Sequence, residues 1–170
     1  MQVTRSELLE YCVSRANRNS AALGFLTRTA LAERIALGRV IPIADSSGLC
    51  GYLLHGVGTD WMPIFQTYVE PRVRCFNIGT RLVLAALNRA IHRAQLGLTI
   101  RVAIDLPAVA FWLRLGFAVI ATVPGKGKSK RLLHIMRLPA SALSCSPFAD
   151  VLRSVYEDPR PFYFPSIQEA

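Results

Sequence analysis

Apolar residues change their spacing several times along the chain, and each change marks a switch between helical and extended structure. From Val3 to Asn17 the positions Val3, Leu8, Leu9, Tyr11, Cys12 and Val13 recur at roughly helical intervals. Thr4, followed three residues later by Glu7, forms a capping-box pair, so a first helix is predicted there. A second is predicted through residues 27–38, where Leu31, Ile35 and Leu37 share a face and Gly38 supplies the stop. The period then shortens. Val40–Ala44 and Leu49–Gly56 flank the turn-forming tetrad Asp45-Ser46-Ser47-Gly48, the pattern of an antiparallel hairpin. Pro63–Val69 reads as the next strand, ended before Pro71 because proline cannot continue a central ladder. A long helix is predicted over Ile78–Leu96, with Leu82, Ala85, Ala86, Ala90 and Ala94 at helical spacing and Gly97 closing it. Strand Leu98–Ile104, a short helix Pro107–Leu115 stopped by Gly116, and strands Phe117–Val123 and Leu132–Leu138 complete an α/β alternation.

After Pro139 the character changes. Pro147, Pro159, Pro161 and Pro165 punctuate a stretch with a short predicted helix over Phe148–Tyr156 and an aromatic run Phe162, Tyr163, Phe164. The organisation read from this is a core over residues 1–138 and an extension over 139–170, packed on the core through those aromatics or at an interface between two copies.

Composition narrows the class. With 170 residues, 52% hydrophobic and only 18% charged, the chain can bury one substantial core and does not have the make-up of a disordered segment. Its apolar runs are broken by polar residues far short of the ~20 positions a helix needs to cross a bilayer. Glu7 and Glu10 sit where a signal peptide would have its apolar stretch, so the expectation is a cytoplasmic protein without a membrane partner. Cys12, Cys50, Cys75 and Cys145 are too widely spaced to suggest a metal site or a disulfide framework. A formal charge of +9 favours anionic partners, although a solvated basic surface accounts for it equally well.

Chemistry concentrates in Tyr68-Val69-Glu70-Pro71-Arg72-Val73-Arg74-Cys75-Phe76-Asn77-Ile78-Gly79-Thr80, a strand passing through an arginine-bearing loop into the long helix. Such a junction offers unpaired N–H groups and the positive end of a helix dipole to phosphate oxygens. Gly79 lets a ligand approach the backbone, Arg74 adds charge, and the Thr80 hydroxyl is a further donor. The loop from Pro124 to Arg131 gathers Lys126, Lys128, Lys130 and Arg131, suited to a polyanion or simply to solvent.

Arg74-x-x-Asn77-x-Gly79 resembles the R/Q-x-x-G-x-G/A signature of the GNAT acyltransferases, with Val69-x-Pro71 before it. Asp105 through Phe117 is similar to the second block of that family, with Ala108, Gly116 and Phe117 matching. Asn77 stands where the first glycine is usual, Asp105 where asparagine is usual and Trp112 where tyrosine is usual. The resemblance implies a mixed, mostly antiparallel twisted sheet with helices on both faces. It implies acetyl-CoA or another acyl-CoA as the donor, a primary amine as the acceptor, and a pyrophosphate cradle at Arg74, Asn77, Gly79 and Thr80. Thr67 and Val69 would hold the pantetheine arm through their backbone beside a strand splay, with Asp105, Ala108 and Trp112 completing the cofactor site. An indole N–H cannot act as a general acid at neutral pH. Tyr52, Tyr68 and His134 remain as proton donors by residue type, and Asp60, Glu70, Asp105, His55 and His134 as bases. Tyr68, Glu70 and His134 are the catalytic candidates taken forward. Two other readings stay open: a nucleic-acid acceptor, either a DNA base or an aminoacyl-tRNA, and a non-catalytic module that binds acyl-CoA or a protein partner.

Overall fold

A computed structural model describes residues 2–126, 130–144 and 161–169. The helix expected over Phe148–Tyr156, Cys145 and the centre of the basic loop lie outside the described residues. The elements run β1 (Gln2–Thr4), α1 (Arg5–Arg18), α2 (Ser20–Leu23), α3 (Arg28–Ala36), β2 (Val40–Asp45), β3 (Gly48–His55) and β4 (Trp61–Val69). They continue with α4 (Ile78–His92), β5 (Gly97–Ala103), α5 (Ala108–Arg114), β6 (Ala118–Pro124), β7 (Leu132–Pro139) and β8 (Ser166–Gln168). Six strands form one sheet in the order β2-β3-β4-β5-β7-β6. Every pairing in it is antiparallel except β4 with β5.

Local sequence accounts for most of these elements. The Thr4 hydroxyl accepts from the Glu7 N–H while the Glu7 carboxylate accepts from the Thr4 N–H, which closes the start of α1 as its capping box predicts. Thr27 caps α3, and Gly38 leaves it with φ +65°. Leu31 and Ile35 are buried as expected, but Leu37 is 51% exposed, because it is the C-cap residue and has already left the helical face.

Two clusters of buried side chains cover opposite faces of the sheet. On one, α4 supplies Ile78, Leu82, Val83, Ala86, Leu87 and Ala90 against Ile41, Leu53, Met62, Ile64 and Leu98. On the other, Leu8 and Cys12 of α1 and Leu31 and Ile35 of α3 meet Tyr52, Leu54 and Tyr68. Leu53 belongs to one cluster and its neighbours Tyr52 and Leu54 to the other, as strand alternation requires. Burial pushes the Cys12 thiol up to about 12, so it is an apolar packing group.

The long helix ends at His92, four residues before the predicted limit. Ala94 turns into the left-handed region at φ +54°, its N–H and that of Gln95 return to Ile91 O and Ala90 O, and the Leu96 N–H is taken by Asp60 O. Gly97, expected to stop the helix, instead opens β5 at φ +147°, where an added Cβ would lie 2.1 Å from Leu138 O. From the C-terminal stretch, β8 pairs in parallel with β1, Tyr163 bridges Ala44 and donates to Asp45 O at 2.9 Å, and Phe162 packs against the α4-side cluster. Phe164 is half exposed.

His55 is fully buried at the end of β3. Arg89 Nη1 lies 3.3 Å from Nε2, and a guanidinium can only donate, so Nε2 accepts and Nδ1 carries the hydrogen given to Gly56 O at 3.0 Å. Burial lowers the pKa of this ring; Arg89, Arg93 and Arg39 lower it further, against the opposing effect of the Gly56 bond. The unfolded chain takes up this proton near pH ~6.5 and the folded chain resists it. Stability is therefore unaffected above that pH and falls as pH drops below it, by at most ~1.4 kcal/mol per pH unit, until the folded pKa is reached. Thermal unfolding followed from about pH 7.5 to 5.5 is expected to show a steeper loss of Tm for the native chain than for His55→Gln; parallel curves would exclude this assignment.

Candidate active site

The pairing of β4 with β3 contains one extra residue. His55 lies opposite Ile64, yet Leu54 lies opposite Gln66, so Phe65 is bulged out of register and is 47% exposed. Met62 and Ile64, before the bulge, face α4, whereas Tyr68, an even-numbered position like them, faces α1 and α3. Pairing of β4 with β5 covers only Trp61–Ile64 and stops at the bulge. Beyond it the two strands separate. The Glu70 N–H bonds Cys50 O at 2.9 Å on the β3 side, so by antiparallel alternation the N–H groups of Thr67 and Val69 point the other way, into the gap.

That gap continues into a cleft of about 730 Å³ lined by β4, the loop into α4, α5 and the α1–α2 corner. The loop enters α4 through two left-handed residues, Cys75 at φ +66° and Asn77 at φ +57°. Asparagine is among the few non-glycine residues that tolerate this region, which accounts for the turn surviving where a glycine is usual. Among the described residues no side chain caps α4 and no acidic residue occupies its first turn, in contrast to α1. The N–H groups of Ile78, Gly79 and Thr80 thus face the cleft without helical partners. Gly79 also packs against an aromatic ring: a Cβ there would come within 2.9 Å of Phe111 Cζ. Arg74 folds back, its Nε donating to Val69 O at 3.2 Å.

Of the residues singled out from sequence, Thr67, Tyr68, Val69, Arg74, Asn77, Gly79, Thr80, Ala108 and Trp112 all line this cleft. Trp112 is 4% exposed, with its ring edge-on to Phe111 and Phe117, so it also belongs to the core. Asp105 does not line the cleft; its carboxylate takes two hydrogen bonds from Arg131, at 2.7 and 2.8 Å, which hold it below the usual carboxylate range. Arg131, one of the four cations of the basic loop, also donates to Ala21 O at 2.8 Å and ties the start of β7 to α2. His134 stands outside the cleft, opposite Val102 in the sheet, with Nδ1 2.9 Å from Thr122 Oγ1. Glu70 lies just behind the cleft wall: Arg15 pairs with it at 2.7 Å and the Tyr68 hydroxyl donates to it at 3.1 Å. Partial burial pushes the Glu70 carboxyl up, but these hydrogen bonds outweigh it and hold the carboxyl below its ordinary value. Burial raises the Tyr68 hydroxyl and the Glu70 bond adds to the effect, so Tyr68 is a protonated donor at neutral pH. Tyr52 is buried and donates to Gln66.

Sequence reasoning missed Asn19, Ala22 and Leu23, which close one side of the cleft, and Arg114. No local signal marks them, since α2 is a four-residue helix placed by tertiary contacts. It also missed Thr67 Oγ1 as an orphan: this hydroxyl is buried in the cleft wall without a hydrogen-bond partner among the described residues.

Residues 8–117 match the family described as the acetyltransferase (GNAT) family. The fold is shared with Arabidopsis thaliana NAA60 in complex with a bisubstrate analogue (TM-score 0.69, 12% identity, 82% of this chain and 95% of that one). It is shared too with Ard1 from Thermoplasma volcanium (0.61, 17% identity, 68% and 80%) and with the NatB acetyltransferase complex bound to CoA and MES (0.60, 15% identity, 68% and 83%). No curated protein matches the sequence.

The left-handed turn at Asn77 is directly testable. Asn77→Gly should leave stability within a few tenths of a kcal/mol, whereas Asn77→Val should cost about 1–2 kcal/mol in urea unfolding. Equal stability of the two variants would contradict the assigned backbone.

Proposed function

Because the chain belongs to the GNAT acetyltransferase family, we propose that it transfers an acetyl group from acetyl-CoA to a primary amine. The observation that carries this is the splay between β4 and β5, with the open N–H groups of Thr67 and Val69 on one side and beside it the start of α4, which no side chain caps among the described residues. Bound acetyl-CoA supplies an activated acyl thioester. The chain's own groups fit it: the N–H groups of Ile78, Gly79 and Thr80 suit a pyrophosphate, and the orphaned Thr67 hydroxyl and the free Thr67 and Val69 N–H groups suit the amides of a pantetheine arm. No carboxylate lines the cleft among the described residues, which spares an anionic cofactor any repulsion there.

With the donor held in this way, the protein's contribution is orientation and proton management. Tyr68 is the titratable hydroxyl on the cleft wall next to the splay, and it is the proton donor in this reading. Arg15 and Glu70 are positioning residues: their ion pair anchors the Tyr68 hydroxyl through Glu70. A low Glu70 pKa argues against its serving as the general base by itself. His134, held on the outer strands by Thr122, has no part in this assignment.

Thiol release from acetyl-CoA, measured against a panel of primary amines, tests the proposal. Tyr68→Phe should lower turnover by about 10²-fold with little change in acetyl-CoA affinity. Gly79→Asp should abolish cofactor binding, since it places a carboxylate at the helix start. Turnover in Gly79→Asp at the native level would refute the cofactor placement, and a fully active Tyr68→Phe would refute the donor.

A further inference from the structure

A second cavity, of about 320 Å³, opens at the far end of α4, with Arg39, Arg93 and Gln95 in its wall. Leu37 and Val57, 51% and 64% exposed, add apolar surface to it. The helix between the two sites is 15 residues long, about 22 Å at 1.5 Å per residue, so one phosphate group cannot serve both. We propose that this cavity binds a phosphorylated small molecule, with its phosphate on Arg39 and Arg93 and its apolar part against Leu37 and Val57.

Among the described residues the charges there have no ionic partner. Ion pairs among the described residues engage Arg5, Arg15, Arg28, Arg72 and Arg131, and none engages Arg39, Arg89 or Arg93. All three of the latter act on buried His55 in the same direction, so they share one neighbourhood. Asp60, close by in sequence, forms no ion pair among the described residues. Guanidinium forks match phosphate oxygens, and a doubly charged group offsets more of this repulsion than a chloride ion does.

Capping of α4 does not account for the cluster. Two of the carbonyls at the end of α4 are already satisfied by backbone: Ala90 O accepts from the N–H groups of Arg93 and Gln95, and Ile91 O from that of Ala94. Arg89 is spent on Gly38 O and His55, leaving Arg39 and Arg93 to the cavity. Gln95 supplies an independent observation. It is 8% exposed, its Nε2 donates to Gly58 O at 2.6 Å, and its Oε1 has no partner among the described residues. A hydroxyl or a protonated phosphate oxygen provides the missing donor. The cavity exceeds what inorganic phosphate alone fills, which is why an organic body is expected beside Leu37 and Val57.

Calorimetric titration of the full chain with phenyl phosphate and with inorganic phosphate decides the matter. Saturable binding of one equivalent is expected, tighter for phenyl phosphate, and weakened at least ~10-fold in Arg39→Gln/Arg93→Gln. Arg93 is exposed, so Arg93→Gln alone keeps the fold and should show a smaller loss in the same direction. Heats no different from sodium chloride at equal ionic strength would overturn the proposal. So would binding that both variants retain at native strength, since it would then belong to the α4 start.

Discussion

One residue too many in β4 is the constraint on which the cleft depends. Were Phe65 in register, Gln66 and Tyr68 would continue the side-chain alternation set by Met62 and Ile64, and β4 could go on pairing with β5. The bulge instead turns Tyr68 towards α1 and α3 and ends the parallel ladder. Two strands that can no longer bond leave polar backbone exposed between them, and such groups need partners when water is excluded. Arg74 satisfies the Val69 carbonyl from within the chain, while the N–H side stays open for a ligand. The cleft is thus a consequence of register as much as of shape.

The electrostatic arrangement follows the same division of labour. Acidic side chains near the cleft are each engaged by an arginine: Glu70 by Arg15, Asp45 by Arg72 and Asp105 by Arg131. The exposed pairs contribute little to stability, but they remove negative charge from the approach to the α4 start. α1 satisfies its own first N–H groups through Thr4 and Glu7, whereas among the described residues no side chain caps the first turn of α4. The difference between the two starts is written into the first few residues of each helix.

This explains which parts were legible in sequence. Caps, the Asp45–Gly48 hairpin, the strand and helix periods and the Arg74–Thr80 junction are local, so their residues name them. The bulge has no local sign because Trp61–Val69 is apolar on nearly every position and neither Phe65 nor its neighbours Ile64 and Gln66 is a glycine or proline. The end of α4 was misplaced because Ala94, a strong helix former, is held left-handed by bonds from Gln95 and Leu96 to groups elsewhere. Asp105 was assigned to the cofactor site on its position in a motif, and its engagement by Arg131, 26 residues away, has no local sign. His134 was chosen by residue type alone, which says nothing about the strand face it occupies. Long-range partners decided each of these cases.

The most direct test of the central claim is residue-resolved amide hydrogen exchange with and without acetyl-CoA. The account predicts slower exchange on adding the cofactor at Thr67, Val69, Ile78, Gly79 and Thr80, with Tyr68 and Glu70 unchanged because their N–H groups already bond β3. Cofactor binding that protected Tyr68 and Glu70 equally, or that left Thr67 and Val69 untouched, would contradict it.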